Sequence, residues 1–129
     1  MTTPRILIVD DDPDDTYLLE RRLAQAGLKN PLVRFRDGED VISFLDGEQN
    51  SGARTFSVLL LDLKMPMVDG FDVLAWLRRQ TCYQRMPVAV VTSSNRPSDR
   101  AKAEQAGADA YFEKFPTAEE LEGFVSRRR

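Results

Sequence analysis

Residues 6–11 read Ile-Leu-Ile-Val-Asp-Asp, and residues 58–62 read Val-Leu-Leu-Leu-Asp. Both stretches are continuous aliphatic runs that end on a carboxylate. A continuous run of this length, without apolar–polar alternation, is typical of a strand that is buried on both faces. A third run, Val-Ala-Val-Val at 88–91, ends at Thr92. Strands buried on both faces belong to parallel sheets that helices cover on each side, so these runs favour an α/β fold.

Helical patterns separate these strands. Asp12 is a predicted N-cap, Pro13 suits the first helical position, and Gly27 ends that helix. Two shorter strands are predicted at 32–35 and 110–112. The other four helices are marked by Val41–Leu45, Phe71–Leu77, Ser98–Ala106 and Leu121–Val125, the last behind a Thr117/Glu120 capping box. Asp37-Gly38 is predicted to be a turn, and the polar stretch 47–54 is predicted to be a loop.

Five strands that alternate with five helices predict one parallel sheet with right-handed crossovers and helices on both faces. Ligands of such sheets bind beyond the carboxyl ends of the strands, where the strand order reverses. The polar residues that close the strands are Asp10, Asp11, Asp62, Thr92 and Lys114. We therefore expect these five side chains to gather at one edge of the sheet.

The residue types at this edge suit phosphoryl chemistry. Crowded carboxylates repel one another and need a cation, and Mg²⁺ prefers one or two carboxylates with waters and a phosphate oxygen. A carboxylate can itself act as nucleophile and form an aspartyl phosphate. Lys114 offers a positive charge and Thr92 a hydroxyl donor to a phosphoryl group. Taken singly, each residue has an ordinary reading as a polar strand end, and Asp12, Asp14 and Asp15 read best as helix-capping residues.

Composition bounds the possible functions. The chain has 129 residues, enough for one domain, and 18 Lys and Arg against 21 Asp and Glu give a net charge of -3, which does not favour a nucleic-acid partner. Arg127, Arg128 and Arg129 are explained by the dipole at a helix C-terminus. With no histidine, the chain has no Ser-His-Asp or Cys-His machinery, no His-containing zinc site and no phosphohistidine of its own. A single cysteine, Cys82, and the lack of a signal peptide or membrane-length apolar run predict a cytoplasmic protein without membrane contact.

Several short motifs resemble the receiver domains of two-component response regulators, over essentially the whole chain. They are Ile-Val-Asp-Asp at 8–11, Leu-Leu-Asp-Leu-Lys-Met-Pro at 60–66, Asp-Gly at 69–70, Val-Val-Thr-Ser-Ser at 90–94, Gly-Ala-Asp-Ala-Tyr at 107–111, and Lys114. The resemblance implies one receiver domain over residues 1–129. It also implies a flavodoxin-like, doubly wound, five-stranded parallel sheet of order 2-1-3-4-5.

The resemblance also implies a role for each residue at the edge. Asp62 resembles the phosphate acceptor. The Mg²⁺ ligands would be Asp11 directly, Asp10 through water, the Asp62 carboxylate and the backbone carbonyl of Lys64. Thr92 and Lys114 resemble the pair that binds the phosphoryl oxygens, and Tyr111 resembles the aromatic switch residue. The implied phosphate donor is a sensor histidine kinase.

A closer resemblance is to single-domain regulators associated with bacterial phytochromes. It rests on Asp-Asp-Pro-Asp-Asp at 11–15, on Asp37-Gly38 followed by Phe44-Leu45, and on Thr-Ser-Ser-Asn at 92–95. The expected kinase partner is then a bacterial phytochrome, the signal leaves through contacts with a downstream protein, and a homodimer through the face near Tyr111 is expected.

The chain departs from the family at 114–116, where Phe115 separates Lys114 from the usual proline. Because a cis bond before a residue other than proline costs about 3–4 kcal/mol, we predict that the Lys114–Phe115 bond is trans. We also predict that the Phe115 ring packs near the site, against the simpler reading that it fills a surface groove.

Two other functions compete with a phosphorylation switch. One is an aspartate-based phosphohydrolase with Asp10 as nucleophile and Asp12 as acid, but that motif has Thr or Val where this chain has Asp14. The other is a receiver that binds its partner without phosphorylation. Such proteins have usually lost the acceptor or one of the acidic pair, and here all of them are present.

Overall fold

The computed structural model of the chain describes residues 4–51 and 56–127. Within these ranges five strands alternate with five helices. The strands are β1 (Arg5–Val9), β2 (Leu32–Phe35), β3 (Phe56–Leu61), β4 (Val88–Thr92) and β5 (Ala110–Glu113). The helices are α1 (Pro13–Gln25), α2 (Gly38–Ser51), α3 (Gly70–Arg79), α4 (Pro97–Gln105) and α5 (Ala118–Arg127), with a 3₁₀ turn at Thr81–Tyr83.

The strands form one parallel sheet of order β2-β1-β3-β4-β5, which confirms the predicted fold. The order reverses at β1, because β1 pairs with β2 on one side and with β3 on the other. In the β1–β3 pair, Val9 lies opposite Leu61. Asp10 and Asp62 therefore leave the sheet side by side, and the Asp62 amide donates to the Val9 carbonyl at 2.9 Å.

Alternate side chains of the central strands enter two separate cores. Leu7, Leu59 and Leu61 point into a core that is closed mainly by α2 and α3. Ile8 and Leu60 point into the other core, which is closed by α1 and α5. The central strands are thus buried on both faces, as their aliphatic runs predict, and this two-sided packing fixes the carboxyl ends where the polar residues begin.

The prediction of a loop from Gly47 is wrong for residues 47–51, which belong to α2. The helix is anchored at its start, where Asp37 Oδ1 accepts from the Asp40 amide at 2.8 Å, and by Leu45, which is fully buried. Beyond Leu45, the Gln49 side chain donates to Asp46 Oδ1 at 2.7 Å. Packing and these contacts outweigh the weak helix preference of Gly47. Residues 52–54 of the predicted loop lie outside the described residues.

The turn predicted at Asp37-Gly38 is the start of α2. A Cβ on Gly38 would stand 2.5 Å from the Val68 carbonyl oxygen, so only glycine allows the start of α2 to pack against the loop before α3.

None of the helices in residues 4–51 and 56–127 is long and apolar enough to cross a membrane. Near the C-terminus, Arg127 is in the last turn of α5, as predicted, whereas Arg128 and Arg129 lie outside the described residues.

Candidate functional site

Four strands deliver the polar residues to the carboxyl edge of the sheet. Asp10 follows β1, Asp62 follows β3, Thr92 ends β4, and Lys114 follows β5. Asp10 and Asp62 are only 3% and 6% exposed, and Thr92 is fully buried. Asp11 is exposed at the mouth of the site. The structure therefore brings these predicted site residues to one place, with one carboxylate open to solvent.

Lys114 is the cation of this site. Its ammonium nitrogen lies 2.9 Å from Asp10 Oδ2 and 3.4 Å from Asp62 Oδ2. Its backbone amide donates to the Thr92 carbonyl at 2.8 Å, which fixes the start of the side chain against β4. Burial by itself lowers the pKa of Lys114, but its carboxylate neighbours outweigh burial and hold the pKa above the usual value. Lys114 is therefore charged throughout the physiological range.

For the two buried carboxylates, Asp10 and Asp62, burial outweighs the neighbouring groups and favours the uncharged form. Burial raises the pKa of Asp10, against the backbone amide of Asp12, which donates to Asp10 Oδ1 at 2.9 Å. Burial likewise raises the pKa of Asp62, although Lys114, the Lys64 amide and the Thr92 hydroxyl each favour its ionised form. A single ammonium group therefore does not fully compensate two buried carboxylates.

Because positive charge is short at this site, we ask whether its oxygen atoms fit a metal ion. Oxygens of Asp10, Asp11 and Asp62 lie within 4.8 Å of one another. In the described part of the chain, Asp10 Oδ2 is buried and accepts no hydrogen bond of acceptable geometry, although Lys114 is close. Carboxylate oxygens of this kind suit a hard divalent cation. The donor set therefore fits Mg²⁺.

The loop after β3 contains Lys64 and lies beside the Asp62 carboxylate. The Lys64 amide approaches Asp62 Oδ1 at 3.4 Å. Asp69 and Asp72 cap α3 reciprocally, and Gly70 lies directly against the two residues that follow β3, with its amide donating to the Leu63 carbonyl at 3.0 Å. A Cβ on Gly70 would overlap the Asp62 carbonyl oxygen. This glycine thus allows α3 to begin immediately beside the Asp62 backbone.

An open cleft of about 440 Å³ lies between this loop and the start of α4. Asp11 and Lys64 line one side of the cleft, and Arg96 and Asp99 line the other. Asp11 therefore faces a space that small ions and the side chains of a partner protein can enter.

A chain of hydrogen bonds leads away from Thr92. The Thr92 hydroxyl oxygen accepts from the Ser94 amide at 3.3 Å. Ser94 then contacts two further elements: its hydroxyl donates to Asp99 of α4 at 2.6 Å, and its carbonyl accepts from the Tyr111 hydroxyl at 3.1 Å. A shift of Thr92 would consequently disturb the contacts that Ser94 makes with α4 and β5.

The prediction of a trans Lys114–Phe115 bond is wrong, because the bond is cis. The prediction used only the local cost of the cis form. In the folded chain both residues are fixed independently. Lys114 is bound by Thr92 and the carboxylates, and Phe115 packs on the core of α1 and α5. The Phe115 ring is thus half-buried against a core cluster.

Sequence reasoning missed Asp15, which was predicted to be a capping residue. Asp15 Oδ2 lies 2.6 Å from the Lys114 ammonium, closer than any oxygen of Asp10 or Asp62. Its position in the first turn of α1 is fully explained by helix capping, so the sequence offered no signal of this contact. Asp12, by contrast, is the N-cap as predicted, since its Oδ1 accepts from the Asp14 amide at 2.9 Å.

Curated proteins with related sequences include two regulators. The transcriptional regulatory protein TcrA of Mycobacterium tuberculosis is 34% identical over 117 residues, which cover 91% of this chain and 42% of TcrA. This chain thus spans less than half the length of TcrA. Response regulator Rcp1 of Synechocystis is 30% identical over 118 residues, which cover 90% of this chain and 80% of Rcp1.

Solved structures with the same fold include three response regulators, and two of them are described as phytochrome response regulators. The bacteriophytochrome response regulator AtBRR superposes with a TM-score of 0.83 at 28% identity, covering 99% of this chain and 94% of AtBRR. The phosphorylated cyanobacterial phytochrome response regulator RcpA gives 0.78 at 27% identity, with coverage of 98% and 91%. The Mn²⁺-bound form of Rcp1 gives 0.75 at 29% identity, with coverage of 96% and 90%.

The sequence profile of the response regulator receiver domain matches residues 6–126, nearly the entire chain. Members of this family are signalling domains of two-component systems. With the sheet order of that fold and an acidic edge after β1 and β3, this chain belongs to the response regulator receiver family.

Proposed function

We propose that this protein is a phosphorylation switch in which Asp62 accepts a phosphoryl group from a sensor histidine kinase. The observation that carries the proposal is the environment of the Asp62 carboxylate. It is 6% exposed, its Oδ2 lies 3.4 Å from the Lys114 ammonium, and the Thr92 hydroxyl hydrogen-bonds to it. A carboxylate oxygen thus lies beside an ammonium and a hydroxyl group that could bind phosphoryl oxygens, which supports the proposal.

The transfer step follows from this placement. A carboxylate oxygen of Asp62 forms a bond to phosphorus while the bond from phosphorus to the imidazole nitrogen of the donor breaks, and that electron pair stays on the nitrogen. The chain contains no histidine, so the phosphohistidine must belong to another protein. Lys114 and Thr92 then neutralise and bind the oxygens of the transferred group.

The same proposal assigns Mg²⁺ as cofactor. Asp11, Asp62 and the Lys64 carbonyl would hold the ion directly, and Asp10 would hold it through water. Bound there, Mg²⁺ supplies positive charge to the transferring phosphoryl oxygens. The closeness of the Asp10, Asp11 and Asp62 oxygens supports this assignment, because Asp10 and Asp62 are buried and have the Lys114 ammonium as their shared cation. The Mn²⁺-bound structure of Rcp1 is a precedent in the same family.

For the partners, we propose a histidine kinase of the phytochrome class, with output through contact with a downstream protein. The likeness to AtBRR and RcpA supports the phytochrome link. We expect no turnover of an external substrate, since Asp12 caps α1 and is not presented to the site as a second acid. The face near Tyr111, where an open cavity is lined by Arg100 and Tyr111, remains our candidate for a homodimer contact.

Phosphotransfer read by intact mass tests the acceptor. Incubation with a phosphorylated histidine kinase, or with acetyl phosphate and Mg²⁺, should add one phosphoryl group to the wild-type protein. Asp62→Asn should abolish the addition, and Asp14→Asn, an exposed change of the same charge on α1, should leave it intact. Undiminished labelling of Asp62→Asn would contradict the assignment.

A further inference from the structure

Lys114 has a third carboxylate partner that its proposed role does not require. Asp15 Oδ2 lies 2.6 Å from the ammonium nitrogen, against 2.9 Å for Asp10 and 3.4 Å for Asp62. The Lys114 side chain is 8% exposed and that of Asp15 is 25% exposed. The shortest ion pair of the ammonium group is therefore with a residue that belongs to neither the proposed acceptor nor the proposed metal ligands.

An ammonium group has three donors and no acceptor. In this structure the group donates to Asp15 and Asp62 and forms an ion pair with Asp10, so a phosphoryl oxygen that binds Lys114 must compete with these carboxylates for its positive charge. Asp62 remains attached to the phosphoryl group, and Asp10 has Mg²⁺ as an alternative cation. Asp15, on α1, has neither compensation and must give up its partner or share it.

Resting on the proposed function, we propose that Asp15 is a positioning residue that binds Lys114 in the unphosphorylated protein and competes with the phosphoryl group for it. Two effects act in the same direction. The Asp15–Lys114 ion pair stabilises the resting arrangement, and the Asp15 charge repels the negative charge that arrives with the phosphoryl group. Because the Lys114 side chain is only 8% exposed, solvent and salt screen this pair less than they screen a fully exposed ion pair.

The matched control is Asp14, which neighbours Asp15 in the first turn of α1 and is exposed. The Lys114 ion pairs are with Asp10, Asp15 and Asp62, not with Asp14. Asp14→Asn and Asp15→Asn remove the same charge from the same helical turn. Only the second removes the partner of Lys114, so their difference isolates the competition.

The experiment measures the affinity of the full chain for beryllofluoride, a phosphoryl mimic, in saturating Mg²⁺ by following backbone amide resonances. Asp15→Asn should bind beryllofluoride about three- to tenfold more tightly than Asp14→Asn, the size expected for one coupled charge pair. Equal affinity of the two variants, or weaker binding by Asp15→Asn, would overturn the inference.

A second measurement detects the pair itself. The side-chain nitrogen resonance of Lys114, identified by its loss in Lys114→Ala, should shift in resting Asp15→Asn and stay in place in Asp14→Asn. A resonance that Asp15→Asn leaves unchanged would also overturn the inference. Failure of the proposed function is distinguishable: wild-type protein would then not bind beryllofluoride, or Asp62→Asn would bind it equally well.

Discussion

At the scale of single residues, the two buried carboxylates predict how stability depends on pH. Burial holds the pKa values of Asp10 and Asp62 above 3.8, the value expected in the unfolded chain. The folded protein therefore keeps protons that the unfolded chain has already released. These two groups thus make the free energy of unfolding fall as pH rises from about 3.8 through the raised folded-state values.

Asp10→Asn removes one of these carboxylates. In chelator at neutral pH we expect the variant to be more stable than wild type by about 1–3 kcal/mol, because a neutral amide has neither the desolvation cost of a buried charge nor its repulsion from Asp62. Its stability should also fall less steeply with pH. Urea denaturation at several pH values measures both effects. Asp46→Asn, an exposed change on α2, is the control and should run parallel to wild type. If the free energy of unfolding of the wild-type protein rises with pH above about 3.8, the prediction is contradicted.

Mg²⁺ should offset the loss of stability that the buried Asp10 and Asp62 carboxylates cause, because it supplies positive charge beside them. Binding to the folded state alone stabilises it by about 2.7 kcal/mol at 100 times the dissociation constant. Asp11→Ala should lose most of the rise in melting temperature that Mg²⁺ causes in wild type. Asp69→Ala, which removes a carboxylate that lines the cleft but caps α3, should melt lower while keeping its Mg²⁺ response. A full Mg²⁺ response in Asp11→Ala would refute its role as ligand.

Two residues show the limit of sequence reasoning at this scale. Asp15 satisfies every rule for an acidic residue in the first turn of a helix, so its sequence position does not reveal that it pairs with Lys114. That pairing joins residues 99 positions apart and depends on how the first turn of α1 lies relative to the residue that follows β5. The Lys114–Phe115 bond was mispredicted because the prediction used only the local cost of the cis form, whereas Lys114 is also bound to Thr92 and Phe115 packs on a core cluster.

At the scale of elements, the junction between β3 and α3 depends on Gly70. An alanine Cβ there would overlap the backbone of Asp62 and approach Leu63 Cα at 2.7 Å, and backbone atoms cannot move aside as a flexible side chain can. We expect Gly70→Ala to lose about 3 kcal/mol or more of stability and to impair labelling of Asp62. Thermal melting and intact mass after acetyl phosphate treatment measure the two effects.

The control is Gly123→Ala within α5, where an added Cβ meets nothing within 4 Å. Alanine has a higher helix propensity than glycine, so this variant should gain about 0.5–1 kcal/mol and label normally. Equal stability of the two variants would show that the close approach at Gly70 is not a constraint.

Elements were predictable where one pattern dominates. The aliphatic runs placed β1, β3 and β4, and their polar last residues located the edge where the site forms. The end of α2 was not predictable in this way, since residues 47–51 are polar and contain a glycine. They are helical because the first turns of α2 are capped by Asp37 and packed through Leu45. Local composition does not predict the end of a helix when capping and packing of the earlier turns stabilise the whole helix.

At the scale of the whole molecule, the site is linked to a distant face through Ser94. Its amide binds the Thr92 hydroxyl, its own hydroxyl binds Asp99 of α4, and its carbonyl binds the hydroxyl of Tyr111. A phosphoryl group that draws Thr92 and Lys114 towards it must therefore disturb contacts on both α4 and β5. This is the physical basis for expecting the output surface to be near Tyr111.

Hydrogen exchange of backbone amides tests the link. Beryllofluoride with Mg²⁺ should change the exchange of residues 92–112 in wild type, and it should change nothing in Asp62→Asn. In Tyr111→Phe the Ser94 carbonyl loses its hydroxyl donor while the site residues remain, so the change in β5 should shrink although beryllofluoride still binds. Residues of β2, on the far edge of the sheet, provide the internal reference. If saturated wild-type protein shows no change between residues 92 and 112, the phosphoryl group does not act through this route, and the output surface must be sought on another face.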